Sequence, residues 1–364
     1  MNDDLRRVVS LLPRDAFSLP EVLRLCHSCK GMHALLILNH GPVLVDVSLD
    51  VQQMCDMSLL GPCRFNRTEE TYDITIDTTR ELMSSLFRFD MRYKIHSLCL
   101  DFCHQGYQAN LSSVTTGKRG GPPSLHEYFI FSAFQNLRYL QSLHIYNVNL
   151  NAELVANYVS TFTGQELSLV QCGLQMGDAF FRALGLVDTL RVLCLSGNSF
   201  VAPVTSVSAF ASNLQVLNCN DCVSADMRVL CGARVHRTLA ALHWNDNYLP
   251  DDQKTMLYGW LRTCPTLHTL LLRNTSLFST DAHPLLAALG CLPLLTSLDV
   301  ASNDLQDAVL AFADLMPRLQ AFYVSARRCH HVALGTAWGK TGVRPGHKFV
   351  LYEELEEEDL EVDA

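Results

Sequence analysis

The sequence lacks the apolar run that a membrane-spanning helix needs. Nowhere in its 364 residues do about 18 apolar side chains follow one another. Charged residues are also scarce, at 18%, whereas apolar residues make up 48% of the chain. That balance is typical of a folded protein with a large core and excludes an intrinsically disordered one. We therefore expect a folded protein with no membrane partner.

A surplus of basic residues is also missing. The net charge is −9, and the segment 353–364 holds eight of the 37 acids and no base. Without that segment 29 acids face 28 bases, which leaves a net charge of −1. Sequence-independent nucleic-acid binding needs a basic surface, so we expect no nucleic-acid partner. The acidic segment is open to two interpretations: a solvated end, or a segment that folds onto a basic partner.

The first residues do not resemble a secretory signal. Residues 1–15 include acidic side chains and contain no long apolar stretch. We therefore expect a cytoplasmic protein, and nuclear or cytoskeletal association is equally compatible. In a reducing compartment the 14 cysteines are expected to be thiols that fill core space. Cys99, Cys172, Cys194 and Cys219 fit that expectation, since each lies in a predicted strand or in the turn that follows it.

One apolar pattern, Leu-x-x-Leu-x-Leu, recurs along the chain, most clearly at residues 140–145 and 190–195. An Asn or Cys often follows three residues after the last apolar position, and another apolar residue follows two residues later. After the first pair, successive copies lie 24 to 28 residues apart. The second apolar position of the copies falls at Leu98, Leu143, Leu167, Leu193, Leu217, Leu242, Leu270, Leu298 and Phe322.

The physical basis of the pattern is a strand followed by a turn and a helix. Alternating apolar residues make a short strand with one side facing the core. The Asn or Cys side chain can bond backbone groups that the turn leaves unpaired. Residues 152–161, 177–186, 250–263 and 280–289 have the apolar spacing of amphipathic helices. Stacked units of this kind bury one continuous core, so the sequence predicts an α/β solenoid with about nine or more repeats.

The pattern Leu-x-x-Leu-x-Leu-x-x-Asn/Cys-x-Leu resembles that of leucine-rich-repeat proteins. The longer helical repeats are similar to those of the ribonuclease-inhibitor-like subtype. The resemblance covers roughly residues 90–325. It implies a horseshoe with a parallel sheet on its concave side and helices on its convex side. It is specific for fold and not for function, because the shared residues define a scaffold.

The flanking regions divide the chain further. We predict an N-terminal cap over residues 1–90, with possible degenerate repeats, and a repeat array over 91–330 with a loop insertion at 112–123. A C-terminal cap at 331–352 and the acidic tail at 353–364 follow. Within the cap, residues 34–38 and 43–47 flank a turn and indicate a hairpin, and residues 72–76 fit a degenerate repeat strand. Residues 347–352 fit a closing strand.

Motifs for chemistry are few. Cys26 and Cys29 form a Cys-x-x-Cys pair, but zinc usually takes four ligands from two such pairs, and no second pair has a familiar spacing. The chain contains no phosphate loop, no His-Glu-x-x-His pair and no Gly-x-Ser-x-Gly elbow. We therefore expect no metal, no cofactor and no enzymatic activity.

The concave face of the predicted sheet is the candidate binding site. Its open positions combine aromatic side chains with amides, which is typical of protein-binding surfaces. We predict an adaptor or scaffold that binds a protein partner, either as a monomer or as a subunit of a larger complex. The predicted partner-binding residues are His144, Tyr146, Asn218, Asn220, His243, Asn245, Arg273, Asp299 and Tyr323.

Two other functions remain open. Repeats followed by an acidic tail resemble the Ran GTPase-activating protein family, which would make the chain a GTPase-activating regulator, although no family motif matches residue by residue. The sequence from Leu12 to Asp15 before a predicted helix resembles the start of an F-box, which would make the chain a substrate receptor of a ubiquitin ligase. The predicted hairpin over 34–47 argues against the three-helix unit of an F-box.

Overall fold

The computed structural model describes residues 44–50, 64–66, 71–73, 94–104, 107–110, 125–201, 213–231, 237–326, 328–339 and 347–353. The chain divides into two compact units, residues 1–173 and 174–364. Four features discussed above lie outside the described residues: the segment from Leu12 to Asp15, the Cys26 and Cys29 pair, the loop insertion at 112–123, and the acidic tail beyond residue 353.

The first unit contains a parallel sheet whose described strands are β1, β4, β7 and β8, in that order. Helix α1 (Leu125–Phe134) precedes β7, and α2 (Ala152–Val159) joins β7 to β8. Each strand therefore pairs with the next copy of the repeat, as a stacked coil requires. The strands are β1 (Leu44–Asp50), β4 (Lys94–Asp101), β7 (Ser142–Tyr146) and β8 (Glu166–Val170).

The first unit also holds a smaller sheet, and it corrects one expectation. Its strands are β2 (Arg64–Asn66), β3 (Thr71–Asp73), β5 (Cys103–His104) and β6 (Tyr107–Asn110), in the order β2, β3, β6, β5. The strand expected near residues 72–76 is therefore not a repeat strand: β3 pairs antiparallel with β2 and parallel with β6. β3 does not join the repeat sheet because β1 occupies the place beside β4. The alternating segment of β1 is longer than that of β3.

The pairing of β1 also bears on the predicted hairpin. Its first arm, residues 34–38, lies outside the described residues, and its second arm overlaps β1. β1 pairs in parallel with β4, where Val47 lies opposite Leu98 and Leu49 lies opposite Leu100. Apolar positions two residues apart on both strands fix that register. The parallel repeat sheet thus begins by residue 44.

The second unit contains a parallel sheet in which seven described strands follow one another in sequence order. A separate pair of short parallel strands, β9 (Gln175–Met176) and β11 (Ser199–Phe200), lies where the turns leave the main strands. The seven strands are β10 (Val192–Cys194), β12 (Val216–Asn218), β13 (Ala241–His243), β14 (Thr269–Leu271), β15 (Ser297–Asp299), β16 (Ala321–Ala326) and β17 (Lys348–Glu353).

Helices fill most of the connections in the second unit. The described ones are α3 (Asp178–Gly185), α4 (Arg228–Cys231), α5 (Asp251–Leu261), α6 (Ala282–Leu289) and α7 (Arg328–Gly339). Two 3-10 helices, Ser279–Asp281 and Gln306–Arg318, complete them. The helices predicted at 152–161, 177–186, 250–263 and 280–289 are confirmed, and β17 confirms the closing strand. No described helix is both long and apolar enough to cross a membrane.

Local chemistry explains where these helices begin. In α2 the side-chain oxygen of Asn151 accepts hydrogen bonds from the backbone N–H groups of Glu153 and Leu154, both at 3.0 Å. This cap satisfies donors that the first helical turn leaves unpaired. Val155 and Val159 then point into the core on one side of the helix. The same amphipathic spacing made these helices predictable from the sequence.

The core confirms the repeat positions one by one. All nine repeat positions lie in strands, and each is 0% exposed. Truncating a buried leucine of this kind to alanine typically costs about 2–5 kcal/mol. The nine are Leu98, Leu143, Leu167, Leu193, Leu217, Leu242, Leu270, Leu298 and Phe322.

The opposite side is half-buried in most of the repeat strands, as the alternation in Ser142–Tyr146 shows, although Ser168 and Asp299 on that side are buried. We call this side the open face. It carries the residues one and three positions after the buried residue of each repeat.

Candidate binding surface on the open face

A ladder of buried side chains holds the turns that follow the strands. The side-chain oxygen of Asn247 accepts from the backbone N–H of Cys222 at 2.7 Å. Its amide nitrogen donates to the backbone carbonyls of Cys219 at 2.7 Å and Trp244 at 3.1 Å. Asn198 and Asn303 make equivalent bonds. This confirms the role predicted for the recurring Asn position in the turn of the pattern: the amide pairs backbone groups of two neighbouring repeats.

Cysteine takes the same position in other repeats. The Cys172 thiol donates to the carbonyl of Ile145 at 3.4 Å, and the Cys222 thiol donates to the carbonyl of Leu195 at 3.3 Å. Burial raises the pKa of the neighbouring Cys219 thiol well above its ordinary range, so that thiol stays protonated. Seven of the described cysteines are free thiols. Cys172 and Cys219 are buried and fill core space as the sequence predicts, whereas Cys99 and Cys194 are only half-buried.

The residue just before each ladder position has a left-handed backbone in seven repeats. Few residues adopt positive φ without strain, and Gly, Asn and Asp do so most easily. This residue lies at the end of each strand. The seven residues together therefore form a row along one edge of the open face. Its members are Asn147, Gln171, Gly197, Asp221, Asp246, Asn274 and Ser302.

In the first unit the predicted residues His144 and Tyr146 lie together on β7. Their rings stack with centroids 6.3 Å apart and planes 12° apart. His144 Nε2 lies 3.9 Å from a carboxylate oxygen of Glu166. Burial lowers the pKa of His144, and the Glu166 charge opposes that change. His144 Nδ1 is buried and has no hydrogen-bond partner among the described residues.

In the second unit the predicted asparagines belong to a second ladder, on the open face itself. Asn218 Oδ1 accepts from the Ser196 hydroxyl at 2.8 Å and from the Asn220 backbone at 3.1 Å. Asn220 Oδ1 accepts from the Asn245 backbone N–H at 2.8 Å, and Asn245 Oδ1 accepts from the Arg273 backbone N–H at 2.8 Å. Since an N–H group can only donate, these contacts fix which amide atom is the oxygen. The amide NH2 groups are left for other acceptors.

Arg273 and Asp299 are engaged with each other and with a residue that the sequence analysis did not select. Arg273 Nε lies 3.2 Å from Asp299 Oδ2, and its guanidinium donates to the Tyr352 hydroxyl at 2.6 Å. The guanidinium also lies over the Tyr352 ring, 4.7 Å from its centroid. Asp299 is consequently only 6% exposed. Burial raises the pKa of its carboxyl, and the Arg273 charge opposes the change.

Small residues make this contact possible. β17 places Tyr352 opposite Ser325. Ser325 and Ala301 occupy the same position in the two repeats between Arg273 and Tyr352, and both are buried. A signal for Tyr352 was present in the sequence, because it occupies the third position after the strand's central apolar residue, as Arg273 does in its repeat. The predicted residue Tyr323 stays half-exposed nearby.

The predicted residues therefore form two sets, each described within its own unit. The first unit holds His144 and Tyr146. Among the described residues of both units, no three His, Cys, Asp or Glu side chains lie close enough to hold a metal ion. The second unit holds Asn218, Asn220, His243, Asn245, Arg273, Asp299 and Tyr323.

A pH prediction follows from His243. Burial lowers the pKa of His243 below its ordinary value of 6.5, so the unfolded chain binds this proton more readily than the folded chain. The stability that neutral His243 contributes is therefore complete above about pH 6.5. It is lost as the pH falls from there towards the pKa of His243 in the folded chain, which lowers the free energy of unfolding. We expect His243→Gln to reduce the drop in Tm between about pH 7.5 and about pH 5.5 by about 1–2 °C, since screening limits the effect.

Differential scanning fluorimetry at both pH values measures this drop. His283 is an exposed histidine on α6, so His283→Gln is the matched control and should leave the drop unchanged. Equal drops in wild type and His243→Gln would contradict the prediction.

The parallel repeat strands, the buried ladder and the helical connections together define a leucine-rich-repeat fold of the α/β class. No protein-family model matches the chain, and no curated protein matches it.

Solved structures do match. They include the complex of TLR13 with ssRNA13 (17% identity, TM-score 0.40, 78% of this chain and 36% of that chain). They also include the mouse RP105/MD-1 complex (15% identity, TM-score 0.38, 81% of this chain and 57% of that chain). An internalin of Listeria monocytogenes, inlF, matches at 14% identity and a TM-score of 0.30, over 56% of this chain and 74% of that chain. The chain thus spans about a third of the TLR13 chain and just over half of the RP105/MD-1 match.

Proposed function

We propose that this protein is a non-enzymatic adaptor or scaffold that binds a protein partner through the open face of its sheet. We also propose that its repeats are of the ribonuclease-inhibitor-like subtype, since helices fill most connections in repeats of 24 to 28 residues. The free thiols of the described cysteines support a cytoplasmic location. The proposed contact residues are His144, Tyr146, Asn218, Asn220, His243, Asn245, Arg273 and Tyr323, and Asp299 is proposed to support Arg273.

The observation that carries this proposal is the fixed geometry of half-exposed polar and aromatic side chains on the open face. Three asparagine oxygens are tied to the backbone of the same or the next repeat, so their NH2 groups are already aimed before a partner arrives. Binding to fixed groups costs less conformational entropy than binding to free ones. A rigid surface of amides with His243 and Tyr323 is therefore well suited to recognise another protein.

The structure modifies the predicted set in one respect. Asp299 is buried and paired with Arg273, so its role is to hold that guanidinium in place. His243 and Tyr323 are the better targets for mutation, since both are half-exposed and neither belongs to the asparagine ladder.

We expect the double variant His243→Glu with Tyr323→Ala to lose partner binding by about tenfold or more, because removing a central contact typically costs 2 kcal/mol or so. Proximity labelling with the full chain, quantified by mass spectrometry, identifies the partner and measures its recovery. His283→Glu places the same charge on an exposed position of α6 and serves as control. If the double variant and the control recover the partner equally well, the open face is not the binding site.

A further inference from the structure

We propose that the open face over β12 and β13 binds an extended, basic segment of the partner, whose backbone carbonyls accept from the amides of Asn218, Asn220 and Asn245. This inference rests on the proposed function and names the chemistry of the partner. Two independent observations support it: the amide oxygens are already occupied, which leaves the NH2 donors, and the edge of the open face beside these amides carries negative charge.

The first support is that these amides offer donors only. The oxygens of Asn218, Asn220 and Asn245 already accept from the groups named above. No acceptor for their NH2 groups is found among the described residues, and all three side chains are half-exposed. Three amides with occupied oxygens make a surface that favours hydrogen-bond acceptors, and the commonest acceptor of a protein partner is its backbone carbonyl.

The spacing of the amides fits an extended partner. Asn218 and Asn220 lie two positions apart, and the inter-repeat ladder continues past β12: Cys219 N donates to His243 O and Asp221 N donates to Asn245 O, both at 2.9 Å. β12 ends at Asn218, and Asn220 lies in the turn that follows the strand. Carbonyls that point to the same side of an extended partner segment recur every two residues, about 6.6–6.8 Å apart. A segment that runs along β12 and on over this turn would pass Asn218 and then Asn220.

The second support is charge. Asp221 and Asp246 occupy equivalent positions in neighbouring repeats, and both are exposed at the end of the open face. Asp246 accepts from the Asn274 amide at 3.1 Å, which leaves its charge in place. Arg273 is the nearby cation, and Asp299 already pairs with it at 3.2 Å. The edge is therefore negative, and Lys or Arg side chains of the partner are the complementary groups.

The test uses two fluorescein-labelled peptides of nine residues, one alternating lysine with threonine and one alternating glutamate with threonine. Fluorescence anisotropy at low salt measures their binding to the full chain. We expect the lysine peptide to bind about tenfold more tightly, and Asp221→Asn with Asp246→Asn to reduce that preference to about threefold or less. Asn tolerates positive φ as Asp does, so these variants remove the charge without straining the backbone. Equal binding of the two peptides to the wild type would overturn the proposal.

A third variant separates the amides from the charge. Asn220→Asp keeps an oxygen for the Asn245 N–H, removes the NH2 donors and adds a negative charge. Measured in about 0.5 M salt, where attraction between exposed charges is screened, the lysine peptide should bind this variant about threefold less tightly if carbonyls are bound there, which is the effect of one lost hydrogen bond. Tighter binding would show that charge alone attracts the peptide and would refute the amide contacts.

Capture of the native partner by the two double variants distinguishes failure of this proposal from failure of the proposed function. If His243→Glu with Tyr323→Ala abolishes capture of the native partner but Asp221→Asn with Asp246→Asn does not alter it, the partner is not basic and the open face remains the binding site. If neither variant alters capture, the proposed function itself is wrong.

Discussion

Replacing Asp281 by alanine is expected to lower the free energy of unfolding by about 3–5 kcal/mol, because it leaves a buried charge without its partner. The charge belongs to Lys254 on α5, which is only 2% exposed. Its ammonium lies 2.9 Å from Asp281 Oδ2. The Tyr258 hydroxyl donates to the other carboxylate oxygen at 3.0 Å, and the Phe278 backbone N–H donates to Oδ2 at 2.9 Å.

The remaining contacts of Lys254 do not replace Asp281. Asp251 also lies 3.1 Å from the ammonium, but its side chain is 97% exposed, and exposed ion pairs contribute little. The Phe278 ring lies 4.5 Å from the ammonium, and a cation–π contact is worth about 0.5–2 kcal/mol. Asp281 is thus the group that compensates for the burial of Lys254, and it joins α5 to the 3-10 helix of the next repeat.

Urea unfolding followed by circular dichroism measures the loss. Asp252→Ala, at an exposed position of the same helix, is the control and should stay within about 0.5 kcal/mol of the wild type. Adding Lys254→Met to Asp281→Ala should recover part of the loss, since it removes the unpaired charge. A cost for Asp281→Ala no greater than that for Asp252→Ala would show that the pair does not stabilise the fold.

The sequence could not have revealed this pair. Lys254 sits in a helix whose apolar spacing predicts the buried face, and by that pattern a lysine belongs to solvent. Its partner lies 27 residues later, in the following repeat, where only the stacking of repeats brings the two together. The strands were predictable for the opposite reason: each depends on an alternation confined to six residues, and every predicted central residue from Leu98 to Phe322 is buried.

The candidate site was predictable by position and less so by chemistry. Strand alternation places His243 and Asn245 on the open face, and the structure confirms that placement. The sequence predicts adaptable amides, whereas the structure ties the oxygen of Asn245 to the backbone of Arg273. It also joins Arg273 to Tyr352, 79 residues away. Contacts between different repeats depend on register and side-chain direction, which a single repeat motif does not contain.

The second large effect is expected at Asn303, where leucine should destabilise the chain by about 4 kcal/mol or more, since it leaves four buried backbone groups without a partner at a cost of about 1–3 kcal/mol each. Asn303 Oδ1 accepts from the backbone N–H groups of Thr275 at 2.9 Å and Leu277 at 3.0 Å. Its amide nitrogen donates to the carbonyl of Leu272 at 2.7 Å and to that of Val300 at 3.0 Å. Leucine has the same number of side-chain heavy atoms in the same branched arrangement and can make none of these bonds.

The chain itself supplies the matched control for that experiment. Cys172 and Cys222 occupy the same ladder position, and each thiol donates to a buried carbonyl. Asn303→Cys should therefore keep one donor, leave three of the four groups unpaired and cost about three quarters as much as Asn303→Leu.

Urea unfolding of both variants against wild type gives the comparison, and hydrogen exchange at the Thr275 and Leu277 amides reports the local effect. We expect faster exchange there in Asn303→Leu, since these amides lose their acceptor. Equal stability of the leucine and cysteine variants would mean that the ladder position needs only a buried side chain of suitable size, and that its hydrogen bonds do not hold neighbouring repeats together.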